Sequence, residues 1–149
     1  NAAGMFFNIR IGTGKTEMIR AVLEGICFHL RWMLECEDKK VKTSPTIRFV
    51  GGGALSPVTC QMLSDITGRT VETVENTKDV GSIGAAILVA VGCGSIADFD
   101  HVEEYIPVKA RYEPDPKTHH IYDRNYKVFR RLYQNNKENF TILNEGRSE

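Results

Sequence analysis

Two short stretches carry residue types that could grip a phosphate. The first, "IGTGKTE" at residues 11–17, contains the Gly14-Lys15-Thr16 with which a P-loop ends. A P-loop places its first glycine five residues before the second, between a buried strand and a helix, so that backbone N–H groups wrap the phosphates and the lysine neutralises them. Ile9 holds that place. The preceding "MFFNI" is strand-like, but the loop is too short to cradle a phosphate chain. Thr13 and Gly14 read better as helix caps, with Glu17 in the first turn, where its charge suits the helix dipole.

The second stretch is "FVGGGALSP", residues 49–57. Gly51, Gly52 and Gly53 directly follow an apolar run. They allow unusual dihedrals and close approach of backbone to a ligand. A helix beginning at Ser56 and Pro57 would aim its first N–H groups at the same place, which outlines an anion site. A branched side chain at Gly52 would fill that space and oppose the glycine geometry. The dinucleotide fingerprint Gly-x-Gly-x-x-Gly is absent, because Ser56 stands where its third glycine is needed. A plain tight turn is the alternative reading of these glycines.

Other chemistries find little support. Cys27, Cys36, Cys60 and Cys93 form no Cys-x-x-Cys pair and have no histidine at ligand spacing, so neither zinc nor a disulfide framework is expected. With 19 basic against 19 acidic residues, nothing supplies the electrostatic pull toward nucleic acid or an anionic membrane. The run "AAILVAVGC" falls short of the roughly 20 residues that cross a bilayer. No export signal opens the sequence. A cytoplasmic protein with reduced thiols is the expectation.

The 149 residues, 42% of them hydrophobic, suffice for about one domain with a real core. Ile19, Leu23, Ile26, Leu30, Met33 and Leu34 recur at steps of three and four, which predicts a long amphipathic helix from Thr16 to Glu37. On it, Ala21 and Gly25 would admit another backbone closely, and Arg20 and Glu24 would form a solvated pair. "TIRFV" reads as a short buried strand. A second helix starts at Ser56-Pro57 and ends at Gly68. Thr70–Val74 reads as a strand, "ENTKDV" as a loop, and Val80–Val91 as a helix whose Gly81, Gly84, Ala85 and Ala86 suit close packing. "GCGSIADFDHVEEYI" predicts a turn and a short helix. A last helix runs from Lys117 to Phe140. Its Tyr122, Tyr126, Phe129 and Tyr133 share one face and read as a core stripe rather than a base-stacking surface.

The stretch "GGGALSPVTCQMLSDITGRTVETVENTKDVGSIGAAILVAVGCG" resembles the C-terminal domain of the FGGY family of carbohydrate kinases. "NAAGMFFNI", "IRAVLEGICFHLR" and "YEPDPKTHHIYDRNYKVFRRLY" are similar to further family segments in family order, so the resemblance covers nearly the whole chain. Ser56-Pro57 and "DVGSIGAA" look most like the xylulose kinase branch, since glycerol kinases usually carry Asn at the position of Pro57. The resemblance implies an α/β fold: part of the C-terminal, ATP-binding domain of the actin-like (ribonuclease-H-like) ATPase architecture, helix-rich with a small sheet, spanning residues 1–149.

By the same resemblance, Gly51 would belong to the nucleotide site, Gly52 and Gly53 would approach the phosphates of ATP or ADP, and Ala54, Ser56 and Pro57 would lie by the adenosine. Gln61 matches the family's glutamine one turn further on, where packing or capping within the second helix is its other reading. Asp79 stands where the family usually has Glu. The family's Asp-x-Gly-Thr loop, sugar-binding residues and catalytic aspartate all match positions before Asn1. No catalytic residue and no Mg2+ ligand is therefore expected in this chain. Alone it should be inactive, and an apolar surface left uncovered should drive homo-oligomerisation. The parent would transfer the γ-phosphoryl of Mg-ATP to a sugar hydroxyl, a xylulose-like pentulose being favoured. A non-catalytic module that keeps the fold is the rival reading, and a P-loop NTPase ranks third.

Overall fold

The computed structural model describes residues 1–100 and 102–146; His101, within the expected short helix, lies outside the described residues. Four helices, α1 (Lys15–Asp38), α2 (Pro57–Thr67), α3 (Val80–Gly92) and α4 (Pro116–Asn144), alternate with three strands, β1 (Thr46–Arg48), β2 (Thr70–Val74) and β3 (Val108–Tyr112). The sheet order is β1-β2-β3. β1 and β2 run parallel, with Ile47 opposite Val71, as the intervening helix α2 permits. β3 lies antiparallel to β2, with an irregularity between Thr73 and Val74.

α2 lies at the centre, in contact with the sheet, α1 and α4. Accordingly Cys60, Met62, Leu63 and Ile66 are buried, joined by Cys27 and Phe28 of α1, Val71 of β2, and Tyr122 and Tyr126 of α4. Of the aromatic stripe expected on the last helix, Tyr122 and Tyr126 are in this core and Phe129 packs against it, while Tyr133 is exposed. Phe28 meets Tyr122 edge-on at 5.9 Å and Phe129 at 5.4 Å, while Tyr133 packs on Trp32 at 5.7 Å. Such pairings add about 0.5–1.5 kcal/mol each beyond area burial.

The capping signals act as expected. Ser56 Oγ accepts from Thr59 N at 3.3 Å with Pro57 at the first helical position, and Gly68 closes α2 with φ 69°. Asp65 is buried but satisfied, its Oδ1 accepting from Gln61 Nε2 and from the Asp115 amide, both at 2.9 Å. His119 Nδ1 donates to the Asp65 carbonyl at 2.7 Å, because a carbonyl can only accept. Arg31 joins three helices: it donates to the Ile66 carbonyl at 2.8 Å, pairs with Asp123 at 2.6 Å and lies 4.3 Å over the Tyr126 ring.

Several expectations are corrected. "MFFNI" forms no strand, and residues 1–14 carry no helix or strand. β1 is shorter than expected and stops at Arg48: the Phe49 amide still donates to the Glu72 carbonyl of β2 at 2.8 Å, and the chain then turns at Gly51. β3 is a strand beyond those expected: "VKARY" alternates apolar and polar residues, a strand signal that went unread, and it pairs with the free edge of β2. The short helix is a single 3-10 turn at Val102–Glu104.

On α1 the buried face centres on Cys27 and Phe28, and Ile19, Ile26 and Met33 of the expected stripe stand at least half exposed. A helix apolar on two sides has a periodicity that does not select which side is covered. Nor does any neighbour use the small residues. A Cβ built at Gly25, Gly81 or Gly84 meets nothing within 4 Å, and Ala21, Ala85 and Ala86 are exposed. Arg20 and Glu24 do pair, at 2.9 Å, but not as a merely solvated couple: Arg20 Nη2 donates to the Tyr122 hydroxyl, which donates to Glu24, each at 3.0 Å.

Candidate functional site

The residues 14–17 serve a helix start. Gly14 is the N-cap of α1, its amide donating to Glu17 Oε2 at 3.1 Å, and Lys15 is the exposed first residue of the helix. With no strand ahead of it, this stretch lacks the strand-loop-helix context of a P-loop.

The glycine stretch has that context, between β1 and α2. Gly51 adopts φ 86° and ψ −165°, a backbone nearly closed to residues with a Cβ. Gly52–Leu55 then forms a 3-10 turn, closed by the Ala54 amide on the Gly51 carbonyl at 3.2 Å and the Ser56 amide on the Gly53 carbonyl at 3.3 Å. Gly53 is small for another reason: its Cβ would meet Phe49 Cζ at 2.8 Å. Gly52 shows neither constraint, so the glycine geometry expected there belongs to Gly51. Gly52 and Gly53 are exposed, Gly51 and Ser56 half-buried, and Ala54 buried.

Helix capping uses up part of the expected anion-binding end. Pro57 has no N–H, the Thr59 amide is held by Ser56 Oγ, and the Cys60 amide by the Ser56 carbonyl at 3.0 Å. Gln61 is also committed. Its Nε2 donates to Asp65 and, at 2.8 Å, to the Glu113 carbonyl, tying α2 to the entry of α4.

Beside the turn opens a cleft of about 360 Å3, lined by Ala54, Leu55 and Pro57, by residues 73–79, and by Lys109, Ala110 and Tyr112. Of the expected site residues, Ala54 and Pro57 reach it; Gly51, Gly52, Gly53, Ser56 and Gln61 do not line it. Sequence reasoning passed over its other wall, taking "ENTKDV" as a bare loop. That wall carries Asn76 at φ 50° and the buried Thr77. Lys109 pairs with Glu75 at 3.7 Å, whereas Lys78 makes no ion pair among the described residues. The positive φ of Asn76 was open to detection, since Asn is among the few residues that adopt it readily. Asp79 caps α3 without a side-chain hydrogen bond.

A larger cavity, about 830 Å3, lies between α1, α4 and the N-terminal residues. Its wall of Trp32, Met33, Phe129, Leu132 and Phe140, with Glu37 as its acidic member, does not suit a phosphate. Among the described residues no group of three or more His, Cys, Asp or Glu side chains could hold a metal ion. No helix among the described residues is long and apolar enough to cross a membrane.

Comparison with known proteins matches this architecture. Residues 1–93 correspond to the FGGY family of carbohydrate kinases, C-terminal domain. The chain is 30% identical over 136 residues to a xylulose kinase of Staphylococcus epidermidis, covering 91% of this chain and 27% of the relative. It is 31% identical over 134 residues to the xylulose kinase of Escherichia coli, covering 89% of this chain and 28% of the relative. Among solved structures, xylulose kinase from Rhodospirillum rubrum superposes with a TM-score of 0.83 at 26% identity, over 93% of this chain and 28% of that one. Plasmodium falciparum glycerol kinase with ADP gives a TM-score of 0.69 at 23% identity, over 82% of this chain and 25% of that one. The chain thus spans about a quarter of the length of these relatives, and its helix-rich fold with a small sheet is part of the actin-like ATPase architecture. The strand-glycine turn-helix unit and the match over residues 1–93 agree, and the chain belongs to the FGGY family of carbohydrate kinases.

Proposed function

We propose that this chain is the nucleotide-side part of a carbohydrate kinase that transfers the γ-phosphoryl of Mg-ATP to a sugar hydroxyl, with a xylulose-like pentulose as the favoured acceptor. The observation that carries the reading is the glycine turn of a family member, opening beside a cleft that holds Lys78. In this reading Gly51 shapes the turn, Gly52 and Gly53 face the phosphates, and Ala54, Ser56 and Pro57 border the adenosine. Gln61 acts from behind by fixing α2 against residue 113.

Phosphoryl transfer needs positioning, charge neutralisation and a base for the attacking hydroxyl. This chain supplies part of the positioning. The base and the acceptor-binding residues belong to the remainder of the parent kinase, so the chain alone is inactive toward sugars, and the parent is cytoplasmic.

The test is calorimetric titration of the chain with Mg-ATP. Saturable binding that Gly52→Val weakens and Lys15→Ala leaves within about two-fold supports the reading, because loss of a phosphate-binding lysine removes about 1.5–3 kcal/mol, or about ten-fold or more in affinity. Absence of binding favours the rival, a module that keeps the fold without nucleotide. Loss of binding in Lys15→Ala with Gly52→Val intact would move the phosphate site to residues 11–17.

A further inference from the structure

The glycine turn is gripped at both ends by side chains outside it. At its start the Gly51 amide donates to two acceptors of one residue, the Thr77 carbonyl at 3.0 Å and Thr77 Oγ1 at 3.1 Å. Thr77 is 8% exposed and belongs to the 73–79 wall of the cleft. At its end Cys60 Sγ donates to the Ala54 carbonyl at 3.6 Å, and Cys60 is 0% exposed. Between these points lie the exposed Gly52 and Gly53.

We propose that Thr77 and Cys60 are positioning residues that set the path of the glycine turn, and so the placement of the Gly52 and Gly53 backbone toward a nucleotide phosphate. This rests on the nucleotide reading above. Glycine at 51 permits the required backbone but also many others, so some outside group must select one. Thr77 does so with two acceptors on a single β-branched residue whose rotamer freedom is small. Cys60 does so from the core, where burial pushes its thiol up and keeps the S–H that donates. Thr77 follows β2 and Cys60 stands on α2, so the turn is referenced to the sheet and to the central helix at once.

The experiment combines Mg-ATP titration with amide hydrogen exchange on the intact chain. Thr77→Val keeps shape and carbonyl but removes the hydroxyl; Thr77→Ser restores a hydroxyl. Cys60→Ala removes the thiol; Cys60→Ser restores a donor. Each of Thr77→Val and Cys60→Ala should weaken Mg-ATP binding roughly three- to ten-fold, with the serine variants within about two-fold of the parent. Exchange at Gly51 and Ala54 should quicken while Ile66 and Val71, in the core, keep their protection. Unchanged affinity and exchange overturn the proposal. So does equal acceleration at Ile66 and Val71, which marks a general loss of stability. If the parent chain binds no Mg-ATP, the nucleotide reading fails by itself, and exchange at Gly51 and Ala54 decides alone whether Thr77 and Cys60 set the turn: local acceleration upholds it and its absence overturns it.

Discussion

A Cβ on Gly53 would press into the Phe49 ring, and one on Gly51 would force a side chain into φ 86°, while one on Gly52 meets nothing within 4 Å. Three adjacent glycines therefore separate stability from binding. Gly51→Ala should lower stability by about 1 kcal/mol or more through backbone strain. Gly52→Ala should leave it within about 0.5 kcal/mol, so that any loss of Mg-ATP affinity in that variant is direct. Urea unfolding and titration on the same samples check both. Lys78 in the cleft and Lys15 at the start of α1 offer a parallel contrast: Lys78→Ala should weaken Mg-ATP several-fold, and Lys15→Ala should not.

At the scale of elements, α2 connects the core to the glycine turn, and its two ends are independently testable. Ser56→Ala removes the acceptor for the Thr59 amide and should destabilise the chain by about 1 kcal/mol. Gly68 combines φ 69° with a His119 Cε1 atom 2.8 Å from where a Cβ would lie. Gly68→Ala should therefore destabilise by more than the roughly 1 kcal/mol of left-handed backbone alone. In a His119→Ala background the excess should disappear, leaving only the backbone contribution, a coupling that a double-mutant cycle by urea unfolding would read. Additive effects would show that the ring moves aside freely.

For the whole molecule, pH limits stability from both sides. Burial alone would raise the Asp123 carboxyl, but the Arg31 hydrogen bond and charge outweigh it and hold it below the usual range. Asp115 is held low by the Thr118 hydroxyl and the Lys117 amide. Groups depressed on folding contribute stability that is present above the unfolded value, about 3.9, and is lost as pH falls through the folded one. Stability should decline below about pH 5, and Asp123→Asn should flatten that decline.

In the other direction, burial pushes the Cys27 thiol up to about 11. Burial and the Glu35 hydrogen bond push the Tyr126 hydroxyl up to about 12. The fold prefers their neutral forms, so their contribution is complete below the unfolded values, about 8.5 and 10, and is lost as pH rises through the folded ones. Urea midpoints across pH 3–11 test both limbs. Association is the other whole-molecule property. α3 exposes Leu88 and Val89, each at 64%, and α1 exposes Ile26 and Met33. Exposed apolar residues of this kind on two helices offer surface to a partner. Sedimentation should show self-association that rises with concentration and weakens in Leu88→Lys; a stable monomer in both would count against it.

Local chemistry, which a sequence carries in full, was legible at Ser56, Pro57 and Gly68, where caps and turns depend on neighbours a few residues apart. The helical periods of α1 and α4 and the family resemblance were legible for the same reason. What depends on distant partners was not. Which side of α1 is buried was decided by Tyr122, Tyr126 and Phe129 arriving from α4. That β3 pairs antiparallel with β2 was set by a partner strand distant in sequence. Gln61 reads as a ligand contact or a packing residue until the Glu113 carbonyl comes within 2.8 Å. At the glycine turn, the sequence by itself determined that the backbone is free to bend. Only the tertiary structure decided how it bends, because the acceptors on Thr77 and the donor on Cys60 lie on separate elements that meet the turn only after the sheet and α2 have packed together.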